Sequence, residues 1–183
     1  AFIEDRTDRF VLGSRQALMD DLLAFAAEEG TPNIFVLTGE PGSGKSAFLA
    51  EFTRKLSDIR YSAFVIPHFI GASTGSTDLR RTLRRLCYEL ANVAGNTEPL
   101  PIDIKELIKH FQKLLTEAGA KKPAVLVLDA LNQFDATDGA YRMNWLPREL
   151  PPDVRVVASV VAPSEGEKEH LALAILRNRK DVR

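Results

Sequence analysis

The chain has 183 residues, with 24 Lys and Arg against 25 Asp and Glu, which gives a formal net charge of −1. A chain of that length is expected to form one domain with a full-sized core, because domains commonly hold ~100–200 residues. The near-neutral charge supplies no overall field to attract nucleic acid or an acidic membrane, so neither is an expected partner.

Cysteine usage and the chain ends give further bounds. Cys87 is the single cysteine, so no internal disulfide can form, which favours a reducing compartment and predicts a cytoplasmic protein. Neither a signal peptide nor a run of ~18 apolar residues is present in the sequence. The start without Met and the end at Arg183 predict that residues 1–183 form one domain cut from a longer, multidomain protein.

Apolar runs typical of buried strands alternate along the chain with segments of helical period. The predicted helices cover residues 15–28, 45–57, 79–90, 104–119 and about 168–178, and the predicted strands cover residues 34–38, 61–66, 124–129 and 154–161. We expect Ser76 or Thr77 to cap the third helix and Gly119 to end the fourth. Strands that are apolar on both faces, separated by helices, predict an α/β fold with a doubly wound parallel sheet.

The sequence between the first strand and the next helix matches G-x-x-x-x-G-K-[ST] over residues 39–46, which is the Walker A pattern of P-loop NTPases. Glycines there allow backbone N–H groups to converge on phosphates, while Lys45 reaches the outer phosphates and the Ser46 hydroxyl binds Mg²⁺. A glycine-rich turn with a solvated lysine fits this context less well. The predicted nucleotide-binding residues of the loop are Gly39, Glu40, Pro41, Gly42, Ser43, Gly44, Lys45, Ser46 and Ala47.

The third predicted strand ends in Asp129 after four apolar residues, which is the pattern of a Walker B strand. An aspartate at this place can hold Mg²⁺ through a water molecule, or it can simply cap a turn. Because a P-loop is present, we predict the metal role, so Ser46 and Asp129 form the predicted metal site.

The residue that activates the attacking water is less clearly marked. Many P-loop ATPases have a glutamate directly after the Walker B aspartate, but here Asp129 is followed by Ala130. Gln133 can orient a water but cannot take its proton, and Asp135 is equally well explained as a surface turn residue. The predicted catalytic residues are therefore Lys45, Asp129, Gln133 and Asp135. Because no carboxylate directly follows Asp129, we expect slow ATP hydrolysis. GTP specificity is rejected, because residues 132–135 lack the lysine of the guanine-binding N-K-x-D motif.

Five segments, taken in order, resemble the NACHT-type STAND P-loop NTPases, and most of all the nucleotide-binding domains of nephrocystin-like tetratricopeptide proteins and of the telomerase-associated vault protein. They cover residues 10–15, 38–50, 65–90, 125–135 and 144–160. The resemblance implies an ATP/ADP switch in a signalling or scaffolding protein, with a winged-helix lid and repeats in the full protein. It also implies protein partners, bound through appended repeats or by self-assembly.

Some site residues are implied by this resemblance alone. It places Phe10 and Arg15 near the adenine and ribose, and Ser159 at the sensor position. Asn132 and Gln133 replace the usual acidic pair, which again predicts slow turnover. Family members also have a fifth strand about where this sequence stops.

Two other hypotheses about the function remain compatible with the sequence. One is a P-loop kinase or metabolic ATPase that acts on a separate substrate, and the other is a nucleotide-binding scaffold that does not hydrolyse ATP. His68 could approach the γ-phosphate but is more simply a structural histidine, and the arginines between positions 80 and 85 predict a solvated helix face or a subunit contact.

Overall fold

The structure is a computed structural model that describes residues 2–8, 10–28, 30, 32–58 and 63–183. Its helices are α1 (Phe2–Thr7), α2 (Gln16–Ala27), α3 (Lys45–Asp58), α4 (Leu79–Ala94), α5 (Ile104–Gly119) and α6 (Leu171–Arg177). Its strands are β1 (Ile34–Gly39), β2 (Phe64–Phe69), β3 (Ala124–Asp129) and β4 (Val154–Val161). Within these described ranges, no helix is both long and apolar enough to cross a membrane.

The four strands form one parallel sheet in the order β1-β4-β3-β2. β4 lies between the strand that leads into the predicted P-loop and the strand that ends in Asp129. Beyond β1, residues 181–183 run parallel to it, with Ile34 N–H donating to the Asp181 carbonyl and Arg183 N–H donating to the Ile34 carbonyl. This short pairing lies where the resemblance implies a fifth strand.

Helices cover both faces of the sheet. α2 and α3 pack on one face, where Val125, Val127 and Val157 belong to their core, and α4, α5 and α6 pack on the other, where Leu126 and Leu128 belong to theirs. Successive strand residues therefore enter opposite cores, which is why the strands have no polar face. The predicted doubly wound α/β fold is confirmed.

Several predicted boundaries differ from the structure. β2 runs from Phe64 to Phe69, because its register is set by pairing with β3, and the first two residues of the predicted strand, Tyr61 and Ser62, lie outside the described residues. Asp78, and not Ser76 or Thr77, caps α4 by accepting a hydrogen bond from Arg81 N–H.

Local hydrogen bonds explain these differences. The Ser76 hydroxyl is used inside the preceding loop, where it accepts from Gly71 N–H and donates to the Ser73 carbonyl. Gly119 is the last residue of α5 rather than its cap, which is Ala120. α6 is shorter than predicted, and His170 caps it by accepting from Ala172 N–H. The helix α1 was not predicted.

Candidate nucleotide-binding site

The loop between β1 and α3 has the backbone that its glycines predict. Gly42 and Gly44 have φ angles of 74° and 82°, in the left-handed region that glycine enters without steric cost. The loop leads directly into α3, whose first N–H groups lack partners within the helix. Free N–H groups and the positive end of the helix dipole make this edge of the sheet suited to an anion.

Lys45 is turned back onto this loop. Its Nζ donates to the Gly39 carbonyl at 2.7 Å and to the Glu40 carbonyl at 2.8 Å, with the Ser43 hydroxyl at 3.4 Å. Partial burial lowers the pKa of Lys45, while the nearby Asp129 carboxylate acts in the opposite direction. A phosphate would therefore replace two neutral carbonyl acceptors with a charged one, which makes a stronger hydrogen bond.

Arg15 supports the loop from outside. It closes the short 3₁₀ turn Gly13–Arg15, and its Nη2 donates to the Ser43 carbonyl at 2.7 Å. Its Nη1 lies 3.0 Å from the position that a Cβ on Gly44 would take, so the guanidinium lies close against the loop backbone. This contact holds the loop in place, and the implied approach of Arg15 to adenine and ribose stays a prediction.

Asp129 is buried, with 2% of its surface exposed, at the carboxyl end of β3. The fully buried Ser159 of β4 donates to Asp129 Oδ1 at 2.6 Å and accepts from Ala130 N–H at 2.8 Å. The strand order explains this contact, since β3 and β4 are neighbours and their carboxyl ends meet. Ser159 therefore orients the carboxylate and also lines the P-loop cavity, whereas the sensor role that the resemblance implies for it stays a prediction.

The residues present fit a bound Mg²⁺. Ser46 and Asp129 line one cavity of about 290 Å³, together with Lys45 and Gly44. Among the residues that the structure describes, none donates to Asp129 Oδ2 and none bonds to the Ser46 hydroxyl. A carboxylate and a hydroxyl are oxygen ligands of the kind that Mg²⁺ prefers, and a buried carboxylate is stabilised by a cation.

Of the two predicted water-activating residues, the structure brings only Gln133 to this cavity. Its Oε1 occupies the space where a Cβ on Gly71 would be. Asp135 is held elsewhere, since its backbone N–H donates to the Thr77 carbonyl and its Oδ2 accepts from the Thr77 hydroxyl at 3.1 Å. Between the two residues, the buried Phe134 ring packs edge-on against Trp145.

Asn132 and Arg6 also line the cavity, although neither was predicted as a site residue. Asn132 Oδ1 accepts from Val161 N–H at 3.1 Å, so this side chain links the end of β3 to the end of β4. The sequence feature that could have identified Asn132 as a site residue is its position, where the family usually has an acidic residue. Arg6 belongs to α1, whose six residues match no motif.

A second cavity of about 440 Å³ adjoins the first and is lined by Asp5, Arg6, Asp8, Phe10 and Ala47. Arg6 and Ala47 line both cavities. The Phe10 ring meets the Phe48 ring edge-on, with 6.4 Å between centroids. The predicted adenine-side residue Phe10 therefore lies beside the P-loop cavity.

His68, near the end of β2, is held by contacts with three neighbouring polar groups. Its Nε2 lies 2.9 Å from the Thr82 hydroxyl and 3.1 Å from the Ser76 carbonyl, while its Nδ1 lies 3.1 Å from an Arg85 nitrogen. Burial, with a smaller effect of the Arg85 charge, lowers the pKa of His68 to about 4 although the Ser76 contact opposes this. His68 is not among the lining residues of the P-loop cavity.

The arginines between positions 80 and 85 lie on a largely exposed face of α4, as predicted, since Arg81, Arg84 and Arg85 are exposed and Arg80 is half-buried. Arg80 donates to the Ile102 carbonyl, Arg84 to the Pro101 carbonyl and Arg85 to the Pro67 carbonyl. Each of these side chains connects α4 to a neighbouring segment. Three of the four arginines therefore have a structural role.

Comparison with known proteins places the chain in a family. Residues 12–158 match the family described as an AAA ATPase domain. Over 157 residues, or 81% of this chain, it is 32% identical to the human NACHT and WD repeat domain-containing protein 2. It is 32% identical over 70% of the chain to telomerase protein component 1 of Mus musculus, and 28% identical over 78% to human nephrocystin-3. The predicted resemblance to NACHT-type proteins is confirmed.

The chain spans only a small part of these relatives, namely 9%, 5% and 10% of their respective lengths. Among solved structures, it is similar to the ORC1 protein of Aeropyrum pernix in complex with DNA, with 20% identity, a TM-score of 0.48 and coverage of 88% of this chain and 43% of that one. Similarity at that level supports no statement about ligands of this chain.

Proposed function

Since this chain belongs to the AAA ATPase domain family, we propose that it binds ATP and ADP with Mg²⁺ as the regulatory switch domain of a larger signalling or scaffolding protein. The observation that carries the proposal is that Lys45, Ser46 and Asp129 line one and the same cavity at the carboxyl edge of the sheet. That edge is where open α/β sheets bind their ligands.

In this proposal each residue has a defined part. The N–H groups of residues 42–47 surround the phosphates, Lys45 exchanges its carbonyl contacts for the outer phosphates, and Ser46 and Asp129 hold Mg²⁺. The metal, when bound, neutralises charge on the transferring phosphoryl group. Phe10 lies against the base, and Ser159 keeps Asp129 oriented toward the metal.

Slow hydrolysis follows from the same cavity. Asp129 is the only acidic side chain among the described residues that line it, and its proposed task is to hold the metal. Gln133 can orient a water but has no basic group to accept its proton. This favours a switch whose state changes slowly, or a scaffold that binds nucleotide without turnover, over an ATPase that acts continuously on a separate substrate.

Calorimetric titration with ATP and ADP tests the proposal. Lys45→Ala removes a charge-assisted phosphate contact worth about 1.5–3 kcal/mol, so affinity for both nucleotides should fall by about 10-fold or more. Lys55→Ala is a matched control, because Lys55 lies on the same helix but pairs with Glu51 at 3.8 Å. Equal titration curves for wild type and Lys45→Ala would contradict nucleotide binding at this loop.

The wider role also belongs to the proposal. The relatives' names include WD repeat and tetratricopeptide repeat proteins, and we infer a comparable arrangement, in which residues 1–183 are one domain of a longer cytoplasmic protein whose partners bind repeats or other subunits. The expectation that nucleic acid is not a partner stays a prediction.

A further inference from the structure

We propose that Arg6 is a phosphate-binding residue of the nucleotide site and contacts a phosphate that ATP and ADP share. The inference rests on the proposed nucleotide binding. It assigns to α1 a part in the site, although α1 lies before the matched family region, which begins at residue 12.

The position of Arg6 is the first reason. Of the residues that the structure describes, Arg6 and Ala47 line both the P-loop cavity and the adjoining cavity beside Phe10. A nucleotide with its outer phosphates near Lys45 and its base near Phe10 would extend from one cavity to the other, past Arg6 and Ala47. The part of the molecule at that boundary is the phosphate nearest the ribose, which ATP and ADP have in common.

The second reason is that the positive charge of Arg6 is available to bind an anion. Its guanidinium lies over the Phe2 ring, 5.3 Å from the centroid, and within the described part of the chain it has no hydrogen bond or ion pair. A cation–π contact at an exposed place is weak, whereas a phosphate offers two charged acceptors that match the planar fork of arginine. Among the described residues that line the P-loop cavity, Lys45 is the other cationic side chain, and its ammonium is engaged by loop carbonyls.

The third reason is that α1 is held in place against the site. The Phe2 ring lies 4.7 Å from the Phe69 ring at the end of β2, and Phe2 and Ile3 both pack against the core between α3 and the sheet. These contacts fix the base of the Arg6 side chain beside α3. The side chain therefore has only its own rotamers to order when a phosphate binds, which limits the entropy cost.

The experiment compares Arg6→Gln, Arg6→Lys and wild type by calorimetric titration with Mg-ATP and Mg-ADP. Arg6→Gln should weaken both nucleotides by the same factor of about 10, and Arg6→Lys should weaken them less, because the charge remains while the two-pronged geometry is lost. Arg148→Gln is the matched control, since Arg148 lines a separate cavity near Asn33 and Leu150 at the other edge of the sheet and its loss removes the same charge. The affinity of that variant should equal that of wild type.

The outcomes separate this inference from the proposed function. Thermal unfolding without nucleotide should be nearly the same in Arg6→Gln and wild type, because Arg6 has no polar partner to lose among the residues that the structure describes. Unchanged affinity in Arg6→Gln, or a loss confined to ATP, would overturn the placement of Arg6 while leaving nucleotide binding intact. If wild type binds neither nucleotide, the proposed function fails and this inference fails with it.

Discussion

Gln133 and Asp135 are two positions apart in the chain, yet they serve different parts of the molecule. Gln133 ends the 3₁₀ turn Leu131–Gln133 and lines the P-loop cavity, whereas Asp135, after the buried Phe134, bonds to Thr77. The sequence identified both as candidates because their spacing from Asp129 is compatible with the site. The sequence could not show which of the two lies at the cavity, because that depends on how the residues between them, among them the buried Phe134, pack in the fold.

At this scale we predict that Gln133→Glu speeds ATP hydrolysis. A carboxylate at this position could accept the proton of the attacking water, and a positioned general base contributes typically about 10² to 10⁴-fold, so a gain of 10-fold or more is expected even with imperfect geometry. Asp135→Asn should change turnover little, because an amide oxygen can still accept the Thr77 hydrogen bond. A multiple-turnover phosphate-release assay measures both variants, and loss of turnover in Asp135→Asn would show that Asp135 reaches the water.

Among the elements, those with a strong hydrophobic period were predictable and those set by contacts between elements were not. The helices α2, α3 and α5 and the strands β1, β3 and β4 lie within one or two residues of their predicted bounds. β2 was misplaced because its register depends on β3, and the cap of α4 was misassigned because Ser76 is used by the preceding loop. α1 was missed because six residues give too short a pattern for a helical period.

The junction between β2 and α4 gives a prediction about pH. His68 is neutral there, with its pKa lowered to about 4 from 6.5, so between these values the unfolded chain binds a proton that the folded chain does not. The stability that depends on neutral His68 is therefore fully present above about pH 6.5 and is lost as the pH falls toward 4, amounting to about 2 kcal/mol at pH 5. Urea unfolding at about pH 7 and pH 5 measures the loss.

His68→Gln provides the control for this linkage, because glutamine does not titrate but can still bond to Thr82 or Ser76. The variant should start from a lower stability and lose about 2 kcal/mol less than wild type between the two pH values. An equal loss in both proteins would assign the acid sensitivity to other groups.

For the whole molecule, the strand order is what assembles the site. The P-loop follows β1, Asp129 ends β3, and Ser159 of β4 lies between them because β4 is inserted between β1 and β3. The sequence predicted a parallel sheet and the residues at its carboxyl edge, but alternating strands and helices are compatible with several orders. The contact between Ser159 and Asp129, and the resulting orientation of the carboxylate, could therefore be known only from the structure.

Because the site joins three strands and α3, nucleotide and Mg²⁺ should stabilise the domain as a unit, with Asp129 as the link to the metal. At a nucleotide concentration about 100 times the Kd, binding adds about 2.7 kcal/mol, which corresponds to a rise in Tm of roughly 5–10 °C for a domain of this size. Asp129→Asn should abolish the part of this rise that requires Mg²⁺.

The same substitution should leave the nucleotide-free domain nearly as stable as wild type, within about 1 kcal/mol, because asparagine still accepts the Ser159 hydrogen bond and removes a buried charge. Asp58→Asn is the matched control, since Asp58 lies at the exposed end of α3, paired with Arg54. Thermal melts of the three proteins, each with ADP and with or without Mg²⁺, separate the two effects. A Mg²⁺-dependent rise that persists in Asp129→Asn would remove Asp129 from the metal site, whereas a strongly destabilised metal-free variant would mean that its carboxylate acts mainly in folding.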